Sequence, residues 1–119
     1  MEGQLQTVVE THLYLSQAKG LLEEEERGAI VDMLAAEPVA GVLIKGSGGI
    51  RKIRFGRKGR GKRGGVRVIY FYHDAEMPLY LLTVYAKGRK DDLSRREVEV
   101  LAGLTRELVA AERQRRERR

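Results

Sequence analysis

The sequence contains no cysteine, only two histidines and only two prolines among 119 residues. Without cysteine there can be no disulfide framework, no thiolate nucleophile and no cysteine-ligated zinc. Apolar runs are only a few residues long, so no segment is expected to span a bilayer. The first residues, MEGQLQTVVE, carry neither the basic flank nor the apolar stretch of a secretory leader, which predicts a cytoplasmic protein. The chain has 119 residues, of which 42% are hydrophobic and 34% charged. That is the length and composition of one globular domain, residues 1–119.

Acid is missing from one segment altogether. Residues 1–44 hold eight acids and two bases, and residues 68–119 hold nine acids and eleven bases. Residues 45–67 hold ten bases and no acid. A balance of +10 over 23 residues repels itself, and a polyanion relieves that repulsion. Nucleic acid is the usual polyanion.

The expected elements follow from periodicity and caps. Residues 5–9 alternate as a short strand. From Thr11, Leu13, Tyr14, Ala18, Leu21 and Leu22 recur at helical spacing. A second helix is expected from residues 22–24, with Glu23, Glu24, Glu25 and Glu26 against its positive end and Pro38 stopping it. The two helices should form a hairpin with an acidic outer surface. Gly46-Ser47-Gly48-Gly49 reads as a flexible turn; it lacks the lysine and serine of a phosphate-binding P-loop. Residues 50–55, 65–72 and 79–86 alternate as three strands of an antiparallel meander. In the first, Ile53 and Phe55 should face the core and Lys52 and Arg54 should face outward. Ser94 and Glu97 form a capping box. Behind it, Val98, Leu101, Leu104, Leu108 and Val109 give a C-terminal helix a buried stripe. Residues 113–119 should fray. The fold class is α+β, with helices packed on a small twisted sheet.

The chemistry is expected where the basic strands converge. Lys52 and Arg54 share a face, Arg67 lies across the loop on the next strand, and Lys87 follows the third. Arg51, Lys58, Lys62, Arg63, Tyr85 and Arg89 fringe that surface as expected RNA contacts. Such a cluster can grip a phosphate, and crowding could lower a lysine pKa enough for general-base catalysis on a 2′-hydroxyl. RNA would then be cut without a metal or cofactor. Charge alone does not separate this from a cradle that binds without chemistry. His12 on a helix and His73 in a turn are placed away from the cluster. Asp91 and Asp92 lack the further ligands of a metal site and read as leading into the capped helix.

The series Gly48-Gly49-Ile50-Arg51-Lys52-Ile53-Arg54, Gly61-Lys62-Arg63-Gly64-Gly65-Val66-Arg67-Val68-Ile69-Tyr70-Phe71 and Leu81-Leu82-Thr83-Val84-Tyr85-Ala86-Lys87 resembles the HigB branch of the RelE/ParE toxins. The trailing Asp91-Asp92-Leu93-Ser94 fits the same branch, and the likeness runs over about residues 22–110. The resemblance implies a type II toxin that cleaves mRNA in the ribosomal A site and is silenced by an antitoxin, often a helix-turn-helix protein. It places Lys52, Arg54, Arg67 and Lys87 at the family's basic site positions. Several family members carry a catalytic tyrosine in the C-terminal segment, whereas this chain has none after Tyr85. Two other functions fit the same features: a ParE-like inhibitor of DNA gyrase, and an RNA-binding module that performs no chemistry.

Overall fold

The computed structural model describes residues 4–56, 65–88 and 92–118. In chain order the elements are β1 (Val8–Glu10), α1 (His12–Ala18), α2 (Glu24–Ala36), β2 (Val42–Leu43), β3 (Ile50–Phe55), β4 (Val66–Phe71), β5 (Leu79–Ala86) and α3 (Arg95–Glu117). The strands form one sheet in the order β1-β5-β4-β3-β2. β3, β4 and β5 are the expected antiparallel meander, while β1 joins the far edge parallel to β5.

Each helix starts where a side chain replaces a missing backbone partner. The Thr11 hydroxyl accepts the Tyr14 amide at 3.2 Å and donates to the Leu81 carbonyl at 2.7 Å, so the cap of α1 is fastened to β5. α2 opens with a capping box between Glu23 and Glu26, and α3 with one between Ser94 and Glu97. Arg27 on α2 bonds Glu10 on β1 at 3.0 Å.

Strand alternation divides the core in two. Val66, Val68 and Tyr70 of β4, with Leu79, Leu81 and Val84 of β5, pack under Tyr14 and Ala18 of α1 and Ile30 and Leu34 of α2. The opposite face, with Ile50, Ile69, Phe71 and Leu82, packs against Leu101 and Ala102 of α3. Leu82 is an extra residue: the register runs Ile69 to Thr83, then Tyr70 to Leu81. This bulge lets β5 feed both cores.

Four details differ from the sequence reading. The apolar link expected over residues 39–44 contains β2, which pairs Val42 with Lys52 and Leu43 with Arg51. The 46–49 turn is pinned, because the Ser47 hydroxyl donates to the Ile44 carbonyl at 2.6 Å and accepts the Ile50 amide at 3.0 Å. In α3 the side chain at 104 is exposed and Thr105 is buried instead, its hydroxyl satisfied by the Ala102 carbonyl. The basic end is helical through Glu117, since buried Glu112 binds both Arg115 and Arg116, and Arg116 also reaches Asp74.

Candidate functional site

The sheet register settles which cations share a surface. Arg54 of β3 stands directly opposite Arg67 of β4, and Arg67 stands opposite Tyr85 of β5. One step along the same face, Lys52 is opposite Ile69, which is opposite Thr83. Side chains so paired have Cβ atoms about 4.5–5.5 Å apart. Like charges placed this way destabilise the sheet unless an anion lies between them.

An internal anion is present. The Lys52 ammonium donates to an Asp92 carboxylate oxygen at 2.7 Å, bringing the residues just before α3 onto the basic rows. The Lys52 hydrogen bond is the main cause holding the Asp92 carboxyl below its ordinary value. Partial desolvation opposes this; the Leu93 amide and the charges of Lys52 and Arg67 assist it. Burial first, then the negative charge of Asp92, pushes the Tyr85 phenol up, while Arg67 pulls it down. The phenol therefore remains a hydroxyl at neutral pH. Arg67, Asp92, Lys52 and Tyr85 thus surround one place. Arg67 Nε is buried there without a hydrogen-bond partner among the described residues.

The expected residues separate clearly. Lys52, Arg54, Arg67 and Tyr85 come together. Lys87 follows β5 and donates its backbone amide to the Gly65 carbonyl at 3.0 Å, one register step beyond the Val66–Ala86 pair. Arg51 does not join them: alternation turns it to the opposite face, where its guanidinium donates to the Gly41 carbonyl at 2.8 Å. Lys58, Lys62, Arg63, Arg89 and Asp91 lie outside the described residues. His12 is exposed on α1, and His73 stacks on Phe71 at 6.1 Å between ring centroids. Asp92 is the residue that sequence reasoning missed. Its place ahead of the Ser94 cap signalled a helix leader, and its other oxygen does accept the Leu93 amide at 3.0 Å.

Chemically, the face offers guanidinium, ammonium and phenol donors around one displaceable carboxylate. That set suits a phosphodiester and the extra negative charge it gains on attack. In the structure Lys52 is engaged as a donor to the Asp92 carboxylate. If Lys52 is what depresses Asp92, Lys52→Met will raise the Asp92 carboxyl toward the ordinary value of about 3.9. A carboxyl-carbon NMR titration checks this; an unmoved midpoint would show that the pair does not form in solution. By the same linkage, whatever stability the pair adds is fully present above the ordinary carboxylate value and is lost as pH falls through the lowered one.

Comparison with known proteins agrees with this architecture. Residues 33–118 match the family model described as the RelE toxin of the RelE/RelB toxin–antitoxin system. Among solved structures, the chain is similar to an arginine-to-alanine mutant of the E. coli toxin RelE in the free state. The TM-score is 0.53 and the identity 16%, over 73% of this chain and 88% of that one. At that identity the likeness shows a shared fold.

Proposed function

The chain belongs to the RelE toxin family, and from that premise we propose that it is a HigB-like endoribonuclease, cutting mRNA in the ribosomal A site without a metal or cofactor. The observation that carries this reading is the cross-strand row of Arg54 and Arg67, one step from Lys52 on the same face. In the proposed reaction the RNA supplies its own nucleophile. The 2′-oxygen gives its proton to water and attacks the neighbouring phosphorus, and the bond to the 5′-oxygen breaks as that oxygen takes a proton from water. A 2′,3′-cyclic phosphate and a 5′-hydroxyl result. Arg54 and Arg67 hold the pentacoordinate phosphorane, where charge accumulates. Lys52 and Lys87 hold the flanking backbone. The Asp92 carboxylate must leave Lys52 for the phosphate to enter.

A partner follows from the same charges. An acidic segment of a cognate antitoxin, a helix-turn-helix protein in the pattern of the family, would cover the row and associate rapidly through complementary charge. A ribosomal target places the toxin in the cytoplasm, and no helix among the described residues is long and apolar enough to cross a membrane.

The test is purified protein added to translating ribosomes, with cuts mapped by primer extension. Cleavage that requires ribosomes supports the proposal. Intact RNA with inhibited gyrase supercoiling would support the ParE-like function, and tight, salt-sensitive binding without cuts would leave only an RNA-binding module.

A further inference from the structure

A second basic place lies at the other end of the α3 face. Gly46, Ser47, Gly48 and His73 form one wall of an open cleft of about 450 Å³. Thr105, Arg106, Val109, Ala110 and Arg113 of α3 form the other. Its lining includes two arginines and a histidine and no carboxylate. Of the neighbouring acids, Glu112 binds Arg115 and Arg116, while Asp74 lies 3.7 Å from Arg116 and 3.8 Å from His73 at the cleft's edge. Arg106 and Arg113 form no ion pair among the described residues, so their charge faces the cleft uncompensated.

The turn that closes the cleft is built for close approach. Gly46 and Gly48 both have φ of 76°. That left-handed conformation excludes most side chains. A Cβ added at either position would meet nothing within 4 Å. These glycines are required by backbone conformation and leave open space beside them. Ser47 fixes the turn through its buried hydroxyl, so the opening is rigidly shaped. Backbone so exposed beside two guanidiniums is a good receptor for an oxyanion.

We propose that this cleft binds a backbone phosphate of the same single-stranded RNA whose scissile phosphate lies at Arg54 and Arg67, an assignment that rests on the proposed ribonuclease function. Gly48 lies four residues before Lys52. At the rise of extended chain that is a separation of about 13 Å at most, a gap that a few nucleotides span. The cleft therefore sets strand direction and register while the basic row holds the phosphate to be broken.

The test uses a 2′-O-methyl RNA octamer, which cannot be cut, and a matching dinucleotide, each titrated by anisotropy across a salt series. Arg106→Ala/Arg113→Ala should flatten the octamer's slope of log affinity against log salt by about 0.7, the value of one phosphate neutralised on a single strand. The dinucleotide, too short to bridge, should bind this variant and the wild type alike. Arg95→Ala/Arg118→Ala removes the same charge at exposed positions outside the cleft and should change the octamer slope much less. Equal effects from the two double variants, or an unchanged slope in the first, would overturn the cleft. Arg54→Ala/Arg67→Ala tests the other end separately: if that variant alone is silent, the cleavage-site assignment fails and the cleft does not.

Discussion

Arg67→Ala is expected to lower ribosome-dependent mRNA cleavage by about 10²- to 10³-fold, the usual loss when a charge-stabilising donor is removed from a reaction centre. Arg67 occupies the centre of its row, with Arg54 on one side and Tyr85 on the other. Its Nε is buried without a hydrogen-bond partner among the described residues, so the fold loses no hydrogen bond from that atom when the side chain is removed. Removing the guanidinium also removes its repulsion with Arg54. Stability should therefore stay level or rise while activity collapses, an opposition that general unfolding cannot produce. Arg67→Lys keeps the charge but loses the planar two-pronged donor, and should fall between wild type and alanine. Single-turnover cleavage and urea denaturation on the three proteins check both halves. Full activity in Arg67→Ala would remove the basic row from the chemistry.

Much of this row was legible because it follows from period-two alternation. Lys52 and Arg54 had to share a face, as did Arg67, Ile69 and Phe71, and antiparallel pairing had to bring the two sets together. The same rule applied to Arg51 places it on the opposite face, and its grouping with the RNA contacts rested on charge without regard to parity. The capping residue Ser94 was legible because its partner lies three residues on; Thr11 marked only the start of a periodic run, and its capping hydroxyl appears in the structure. What escaped depended on distant partners. Asp92 meets Lys52 forty positions away, and β2 exists only because β3 pairs with it. The buried stripe of α3 passes through Thr105 and Glu112, which apolar periodicity cannot count; a local hydrogen bond satisfies the one and two arginines the other. Those arginines looked like a solvated tail, yet they are what allows Glu112 to be buried.

The second large effect is expected on the opposite face of the sheet. Tyr70 is fully buried; its hydroxyl donates to the Pro38 carbonyl at 2.8 Å and accepts the Gly41 amide at 2.8 Å. Burial pushes this phenol up, which keeps it a hydroxyl able to do both. The link from α2 to β2 is thereby fastened to the middle of the sheet, and Arg51 reinforces it at the Gly41 carbonyl. A methyl group at position 41 would lie 2.8 Å from Tyr70 Cε1 and Oη and 2.9 Å from the Lys52 carbonyl oxygen, closer than carbon tolerates. Gly41→Ala must therefore move the tyrosine, the link or β3 itself. Overpacking costs about 1–3 kcal/mol and a stranded buried hydrogen-bonding group about as much again, so a loss on the order of 3 kcal/mol is expected. Against a typical total of about 5–15 kcal/mol that is a large fraction, visible as a lower urea midpoint at constant slope. Tyr70→Phe removes one of the clashing atoms, so the two substitutions should cost less together than their separate costs added. The penalty should not vanish, because Cε1 and the Lys52 carbonyl remain in the way. Since one obstructing atom belongs to Lys52, the displacement reaches the basic row, and cleavage should fall even at temperatures where the variant is folded. Gly41→Ala with wild-type stability would show that the link yields freely and that the tyrosine does not hold it.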